Sequence, residues 1–375
     1  MMGATVDRTG GAPEDTRLKT PAGTGAPQWD PAYPLDEGAA QMLINDALVQ
    51  SFHAPTISLE GASLTSYELI PHDLKRPCVL VIGAFDGLHL GHRELVERAV
   101  EDAHSQGLPC IAVSFDPDPA EVLGRPRPSS RLLGSEERAQ GLLALGVDAT
   151  VRFTFTRKLA QLGMEEFVRD KLCALLAPVA IHVGTNFSFG RGGEGTPEEL
   201  ARLGEHYGFT VFSHELLPYE GEVISSTRIR ALLAQGDLKL ANALLGRAHY
   251  IKGRVEHGRG EGRAFGFPTA NVVSHVLDAL PQEGVYAAYF VLDDQAWPAA
   301  VNVGAPPTFS APRPAFLEAN LIGFRGDLYS SLVKVVFVER IRASKRFSST
   351  EELKRVVFNN IEWVEQNLGD VGLEV

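Results

Sequence analysis

The pattern of apolar and polar positions changes character along the chain. Between Pro77 and Phe212, short apolar runs alternate with longer stretches in which apolar residues recur every three or four positions. This alternation indicates buried strands between amphipathic helices, which is typical of an α/β domain with a doubly wound parallel sheet. The predicted strands are Cys78 to Ile82, Cys110 to Phe115, Ala149 to Phe153, Val179 to Val183 and Thr210 to Phe212.

Capping residues indicate where several helices begin and end. Ser135 and Thr196 each precede acidic residues, so each is a predicted N-cap. Two short helices are predicted farther on, Arg228 to Gln235 and Leu238 to Leu245, the second of them ending at a C-cap glycine, Gly246.

The pattern after Tyr250 contains β-type runs separated by glycine and proline, without helical stretches between them. This predicts an antiparallel barrel or sandwich, which an amphipathic helix from Ser349 or Thr350 to about Leu368 can close. We place the boundary near Arg247, which gives domains over 70–247 and 248–370. The predicted strands are Tyr250 to Glu256, Val285 to Leu292, Ala299 to Val303, Phe316 to Ile322 and Leu332 to Val338.

Residues 1–52 form a predicted extension that is disordered or partly helical. Up to about Pro34 the sequence is rich in Gly, Pro, Thr and Asp, which leaves few apolar side chains to offset the entropy of ordering. A helical pattern from Leu35 to about Phe52 is a candidate cover for part of the first domain.

Composition narrows the class of partner. The net charge of −12 over 375 residues argues against a nucleic-acid partner and favours small-molecule substrates. The three cysteines, Cys78, Cys110 and Cys173, indicate neither a disulfide framework nor a zinc site. Without a secretory leader or a membrane-span pattern, we expect a cytoplasmic protein with no membrane partner; an oligomer is compatible with the sequence.

The stretch Val79 to His92 carries the strongest chemical signal in the first half. An apolar strand ends at Gly83, and a helical pattern begins after Gly91. Such a loop lets the backbone approach a phosphate chain, and His89 and His92 can donate to its oxygens. The alternatives are two surface histidines or a metal pair, but i, i+4 spacing and a third ligand are both missing.

A second glycine-rich stretch, Gly190 to Gly195, has the spacing of a dinucleotide-binding fingerprint. It lies late in the predicted sheet, and no clear acidic strand end follows about twenty residues on. A mobile loop beside the phosphates explains it better. No P-loop pattern occurs in the sequence.

A third glycine-rich stretch stands in the second half, before Phe267 to Asn271. Its backbone can approach phosphates, and the Thr269 hydroxyl and Asn271 amide oxygen suit Mg²⁺; a plain turn is the alternative. The residues of this stretch are Gly258, Arg259, Gly260, Gly262, Arg263 and Gly266.

The motifs of the first half resemble those of the nucleotidyltransferase superfamily and of bacterial FAD synthetases. Gly83 to His92 and Ile224 to Arg230 resemble the two superfamily signatures, and the loop at Asn186 resembles one at the adenylyl site. Asp118 and Val223 depart from the family, where histidine and arginine are usual. The resemblance implies ATP binding by Gly83, Phe85, Asp86, His89, Gly91, His92, Asn186, Ser226, Thr227 and Arg230.

The motifs of the second half resemble the riboflavin kinase family. Gly266 to Asn271, Asn302 to Phe309 and Gly326 to Tyr329 match its motifs, which implies ATP binding by Gly266 and Mg²⁺ and ATP binding by Thr269 and Asn271. The resemblance implies that Arg342 contacts flavin. The departures lie at Asn320, Gly323, Ser330 and Ser344.

Glu318 is the candidate catalytic base, because a primary alcohol attacks ATP only if a group accepts its proton. Leu317, Ala319 and Leu321 share one strand face, so Glu318 lies on the other face with Asn320. The alternative is a strand glutamate that faces water. The resemblance places Glu318 at the family's base.

Together the two resemblances imply a bifunctional riboflavin kinase and FAD synthetase with a doubly wound nucleotidyltransferase domain followed by a barrel. The substrates and products would be ATP, riboflavin, FMN and FAD. Two alternatives stay open: a riboflavin kinase with lost or altered adenylyltransferase activity, which Asp118 and Val223 favour, and a non-catalytic flavin-binding regulator.

Overall fold

The computed structural model describes residues 33–44, 54–124, 130–258, 262, 265–304 and 316–375. Within them an α/β part precedes a closed antiparallel barrel, as predicted. The helices are α1 (Glu37–Ile44), α2 (Leu90–Ser105), α3 (Pro119–Val122), α4 (Ser135–Ala144), α5 (Met164–Phe167), α6 (Cys173–Leu175), α7 (Pro197–Tyr207), α8 (Ser226–Gln235), α9 (Leu238–Leu245) and α10 (Thr350–Leu368). The strands are β1 (Thr56–Leu59), β2 (Ala62–Thr65), β3 (Pro77–Ile82), β4 (Cys110–Asp116), β5 (Ala149–Thr154), β6 (Ala177–Gly184), β7 (Thr210–His214), β8 (Pro218–Tyr219), β9 (Glu222–Val223), β10 (His249–Glu256), β11 (Ala270–Ser274), β12 (Gly284–Leu292), β13 (Gln295–Gly304), β14 (Phe316–Leu321), β15 (Leu332–Ala343) and β16 (Leu373–Glu374).

The α/β part contains a seven-stranded sheet in the order β1-β2-β5-β4-β3-β6-β7. The strands β3 to β7 run parallel, which confirms the five predicted strands. An antiparallel hairpin, β1–β2, extends this sheet at β5. The sequence pattern missed the hairpin, because β1 is largely exposed and lacks the apolar run of a central strand.

Six strands form the barrel, in the closed order β12-β15-β10-β11-β14-β13 and back to β12. The predicted runs are confirmed, and β11 is an additional strand that the pattern analysis missed. The side chains on both faces of β12 are buried, for example Tyr286 on one face and Tyr289 on the other. The outer face is buried because α10 covers it. The predicted closing helix is therefore confirmed.

The helices α8 and α9 pack with the barrel. Ile229, Leu233 and Leu244 are buried in the same hydrophobic cluster as Tyr286 and Phe337. This cluster consists mostly of residues from the barrel strands and from these two helices. The chain therefore joins the two parts through a helical pair that belongs to the core of the second part.

The segment that leads into α1 lies on the C-terminal elements. The Leu35 N–H donates to the Asn367 carbonyl (2.8 Å), and the Tyr33 ring contacts Trp363 with centroids 5.5 Å apart. These two contacts are with the barrel part, because α10 packs on the barrel. The buried residues of α1, Ala40, Leu43 and Ile44, belong to a hydrophobic cluster that includes residues of both parts. The helix α1 ends at Ile44. Within the predicted extension over 1–52, the structure describes residues 33–44 and the others fall outside the described residues.

The helix caps agree with the sequence except at α4. The N-cap of α4 is Gly134, and Ser135 is the first helical residue, so that prediction was wrong by one position. Thr196 caps α7 by accepting from the Glu199 N–H (3.3 Å), as predicted. Gly246 ends α9 with φ of 67°, the left-handed conformation expected of a C-cap glycine.

Candidate active sites

The loop between β3 and α2 has a strained backbone. Phe85 and Leu88 have φ of 52° and 44°, although both have bulky side chains and both are buried. Gly87 has φ of 86°, and a Cβ atom there would lie 2.7 Å from the Leu132 side chain. Strain of this kind persists where the surrounding structure enforces it, and it clusters at ligand sites.

The two predicted histidines lie together at the start of α2. His89 is the N-cap, and its Nδ1 accepts from the His92 N–H (3.3 Å). The rings stack with centroids 3.6 Å apart. Burial lowers the pKa of His89 to about 4 and the pKa of His92 well below its ordinary value. Both imidazoles are therefore neutral at pH 7.

These neutral rings can donate to an anion. The Nδ1 of His89 is an acceptor, so its proton is on Nε2 in the neutral ring. The Nδ1 of His92 is buried without a hydrogen-bond partner in the part of the chain that the structure describes. A buried nitrogen without a partner is uncommon in folded proteins, so this ring retains hydrogen-bonding capacity that the described residues do not use.

Asp86 joins the two stretches that resemble nucleotidyltransferase signatures, Gly83 to His92 and Ile224 to Arg230. Its Oδ2 accepts from Arg230 Nη1 (2.6 Å), and its Oδ1 accepts from the Leu132 N–H (2.8 Å). The Asp86 carbonyl accepts from the Ser226 hydroxyl (2.8 Å), and Arg230 also donates to Thr227 Oγ1 (3.3 Å). Burial raises the pKa of Asp86 even though Arg230 favours the charged form. The predicted residues Asp86, Ser226, Thr227 and Arg230 thus form one connected group.

Asn186 and Gly83 lie at the same edge of the sheet, because they follow the neighbouring parallel strands β6 and β3. Asn186 is exposed, and its Oδ1 lies close to Gly184, where a Cβ atom would be 3.0 Å away. Gly91 lies in the first turn of α2, beside the His89 ring. No hydrogen bond between Asn186 and either histidine is found in the described residues.

The stretch Gly190 to Gly195 closes on itself. The backbones of Phe189 and Gly195 exchange two hydrogen bonds (3.1 and 2.8 Å) around a short 3-10 turn, Arg191–Gly193. A Cβ atom at Gly195 would lie 2.6 Å from the Phe189 ring. This closed turn differs from a dinucleotide-binding loop, in which the glycine backbone passes directly into a helix.

Arg138 on α4 is a further candidate residue, which no motif in the sequence indicates. Only 6% of this arginine is exposed, its Nη1 donates to the Ala84 carbonyl (2.6 Å), and its Nε has no hydrogen-bond partner among the described residues. The nearby positive charge contributes to the lowered pKa of His92. A single arginine within a helix matches no short motif. The sequence shows only that Arg138 stands near the apolar residues Ala139 and Leu142, which are buried in the structure.

In the barrel, three strands bring the predicted kinase residues together. Asn271 on β11 lies opposite Glu318 on β14, and Glu318 lies opposite Asn302 on β13. On its other side Asn271 lies opposite Glu256 on β10, which the sequence analysis missed. Directly paired residues share a face, with Cβ atoms about 4.5–5.5 Å apart. Two carboxylates therefore flank Asn271 on one face of the barrel wall.

The glycine-rich stretch passes against these side chains. A Cβ atom at Gly258 would overlap the Asn271 side-chain amide, and one at Gly262 would lie 3.3 Å from Thr269 Oγ1. Gly266 has φ of 92°, which glycine adopts without strain. Residues 259–261, 263 and 264 fall outside the described part of the chain, and so do 305–315 of the later motif.

The donor set around Asn271 fits Mg²⁺. It comprises the Thr269 hydroxyl, the Asn271 amide oxygen and the flanking carboxylates of Glu256 and Glu318. Mg²⁺ prefers oxygen ligands and commonly takes only one or two from protein, the rest coming from water and phosphate. No cluster of three or more His, Cys, Asp or Glu side chains suited to a metal occurs in the described residues.

Arg342 lies apart from Glu318, on β15. Its Nε donates to Asn360 Oδ1 on α10 (3.2 Å), and burial lowers its pKa. The helix α10 also contacts the residue that follows the glycine-rich stretch, since the Phe358 and Phe267 rings meet edge to face at 5.8 Å. The structure thus relates Arg342 to the Thr269 turn through α10.

Two of the residues that depart from the riboflavin kinase resemblance, Asn320 and Gly323, have structural roles. Asn320 Nδ2 donates to the Pro268 carbonyl (2.7 Å), which holds the turn against β14. Gly323 has φ of 74°, and a Cβ atom there would overlap the Asp370 carbonyl. The structure gives no account of Ser344.

The fold and the two sites define a class of protein: an α/β nucleotidyltransferase joined to a barrel kinase. Comparison with known domains agrees, since residues 72–228 match the FAD synthetase model and residues 245–368 match the riboflavin kinase model. The five parallel strands β3 to β7, the two histidines and the stretch Gly83 to His92 all fall within the first match.

Curated relatives cover most of the chain. A protein of Escherichia coli K12 is 38% identical over 278 residues, which span 74% of this chain and 88% of the relative. A protein of Pseudomonas fluorescens is 37% identical, and the match covers 76% of this chain and 92% of the relative. A protein of Bacillus subtilis is 33% identical, and the match covers 76% of this chain and 91% of the relative. Each is named bifunctional riboflavin kinase/FMN adenylyltransferase. The chain belongs to this family, and it is an enzyme of FAD biosynthesis with both domains present.

A solved structure agrees on the fold. A crystal structure from Streptococcus pneumoniae, described as a macrolide-efflux protein, is 30% identical with a TM-score of 0.70, and the match covers 78% of this chain and 99% of that one. In the described part of the present chain, every helix is too short or too polar to cross a membrane.

Proposed function

We propose that the two parts of the chain divide FAD biosynthesis between them. The barrel domain, over about 248–370, phosphorylates riboflavin to FMN with ATP. The α/β domain, over about 70–247, transfers the adenylyl group of a second ATP to FMN and releases pyrophosphate. The domain matches at 72–228 and 245–368 support this division.

In the kinase reaction, Glu318 accepts the proton of the primary ribityl hydroxyl as its oxygen attacks the γ-phosphorus of ATP, and ADP leaves. A hydroxyl is too weak an acid to react at neutral pH without such a base. Thr269 and Asn271 hold Mg²⁺, which neutralises phosphate charge when bound. Gly266 allows the backbone to approach the nucleotide, and Arg342 contacts the flavin from beneath α10.

In the adenylyl reaction, His89 and His92 donate to the phosphates of ATP. A phosphate oxygen of FMN attacks the α-phosphorus, and the bond to pyrophosphate breaks. The attacking phosphate is already ionised, so no base is required; the departing charge needs donors. The other groups that bind ATP here are Gly83, Phe85, Asp86, Gly91, Asn186, Ser226, Thr227 and Arg230, of which Asp86 positions Arg230.

The observation that supports the proposal is the pairing of Asn271 with Glu318, in which the proposed base lies opposite the proposed metal ligand on the neighbouring strand. The test incubates purified protein with riboflavin, ATP and Mg²⁺ and separates the flavins. We expect FMN and then FAD. FMN alone would support a kinase that has lost adenylylation, and unchanged riboflavin would support a flavin-binding regulator.

The same proposal places the enzyme in the cytoplasm, without a nucleic-acid or membrane partner. The net charge of −12 supports small anionic substrates that are bound at local sites, since a polyanion needs a basic face. Cys78 and Cys110 are free and buried, as expected of cysteines in a reducing compartment. Cell fractionation with activity assays would test the location.

A further inference from the structure

A cleft of about 180 Å³ lies where the α/β domain meets the barrel domain. It opens beside the carboxyl edge of the sheet, next to the group formed by Asp86 and Arg230. Both domains contribute to its walls: its lining includes Asp86, Arg131, Ser135 and Arg138 from the first domain, and His275 and Leu277 from the second.

The barrel segment at this cleft is fixed against the α/β domain. The Arg131 N–H donates to the Leu277 carbonyl (2.6 Å), and the Ala279 N–H donates to the Arg131 carbonyl (2.9 Å). Arg131 Nε also pairs with Asp278 Oδ1 (2.9 Å). These contacts hold the segment 275–279 in one position beside the first domain, so His275 is a fixed part of the cleft.

The wall on the α/β side offers donors to an anion. Arg138 is more than nine-tenths buried, and its Nε has no hydrogen-bond partner in the described residues. Ser135 is the first residue of α4, and its cap, Gly134, makes no side-chain capping hydrogen bond. A buried guanidinium at a helix N-terminus is a suitable site for a phosphate group.

His275 adds a donor from the barrel side. Its Nδ1 accepts from the Leu277 N–H (3.2 Å), so the neutral ring carries its proton on Nε2. The residue is exposed toward solvent and lines the cleft. The second domain therefore contributes an imidazole to the wall of the cleft.

The geometry points to a shared site for the phosphate of FMN, with Arg138 and the start of α4 on one wall and His275 of the kinase domain on the other. This inference rests on the proposed adenylylation of FMN. A phosphate oxygen of FMN forms a bond to the α-phosphorus of ATP, and pyrophosphate leaves toward His89 and His92 without any net proton transfer.

The acidic residues of the cleft suit the rest of the same ligand. Asp116, Asp118 and Glu121 also line it. Carboxylates repel a bare polyphosphate, but they accept hydrogen bonds from hydroxyl groups. A ribityl phosphate has hydroxyls along its chain and a dianion at its end, so it matches a cleft with carboxylates on one side and cationic donors on the other.

The test measures FAD formation from FMN and ATP by the full chain with His275→Asn. An asparagine oxygen can still accept from the Leu277 N–H, but its amide does not reach as far as Nε2. We expect the KM for FMN to rise about tenfold or more, as for loss of a hydrogen bond to a charged group, with the KM for ATP and the riboflavin kinase rate unchanged. His275→Arg should restore the KM for FMN.

The matched control is His72→Asn, an exposed histidine in the turn Pro71–Lys75 before β3, at the opposite end of the strand. If the wild-type chain forms no FAD, the proposed function fails. If it forms FAD and His275→Asn leaves the KM for FMN unchanged, the shared site is refuted. A rise in the KM for ATP alone would also refute it, because the cleft would then hold the nucleotide.

Discussion

Glu318→Gln separates the two reactions of the chain. The substitution keeps the size and shape of the side chain and removes only its ability to accept a proton. The neighbouring Leu317 and Ala319 are both fully buried, so the strand remains anchored and the free energy of unfolding should change by less than about 1 kcal/mol. A general base contributes about 10²- to 10⁴-fold to rate, equivalent to about 3–5 kcal/mol of activation free energy.

The assay follows FMN formation from riboflavin and FAD formation from supplied FMN in the same preparation. We expect the first rate to fall by at least about a hundredfold and the second to stay unchanged. Glu256→Gln is the matched control, because Glu256 flanks Asn271 from the opposite strand and is the other carboxylate on that face. If Glu256→Gln abolishes FMN formation while Glu318→Gln does not, the base is misassigned; if Glu318→Gln stops both reactions, the division of labour is wrong.

Three further predictions follow from packing and charge. Gly258→Ala should lower the riboflavin kinase rate about a hundredfold, because the new Cβ atom displaces the Asn271 side chain. The rate of FAD formation from FMN should stay unchanged. A variant with the wild-type riboflavin kinase rate would contradict this prediction. Burial lowers the pKa of His89 to about 4 and of His249 to about 3, so below a pH of about 6.5 the unfolded chain binds protons that the folded chain does not. The free energy of unfolding measured by urea denaturation should therefore fall as the pH drops from about 6.5 towards 4. His249→Gln should make this fall less steep. Ser349→Ala should cost about 1 kcal/mol in the same assay, because the hydroxyl caps α10 at the Glu352 N–H.

The fold was largely predictable because the central strands are continuous apolar runs. All of β3 after Pro77 is buried, and such a strand is recognisable without knowing its neighbours. The strand β1 is different, since it is mostly exposed and joins the sheet only through β2. β11 was missed because its first residues, Ala270 and Asn271, also belong to the proposed metal-binding turn.

The candidate sites were predictable where local spacing defines them. His89 and His92 lie within one loop, so the sequence alone brings them together. The pairing of Glu256 with Asn271 depends on the register of two strands that surround the glycine-rich stretch. Arg138 and His275 line one cleft only because the two domains pack together, and the periodicity of the sequence does not predict that arrangement.

The helix α8 contributes polar residues to the proposed adenylyltransferase site and apolar residues to the hydrophobic core of the barrel domain. Ser226 and Arg230 contact Asp86, while Ile229 and Leu233 lie among the barrel side chains. An excised kinase fragment that started at residue 247 would therefore lack part of its own hydrophobic core. An excised adenylyltransferase fragment that retained α8 would expose the apolar face of this helix to solvent. Dissection of this enzyme into two working pieces requires redesign of that helix, with its polar side kept for one piece and its apolar side kept for the other.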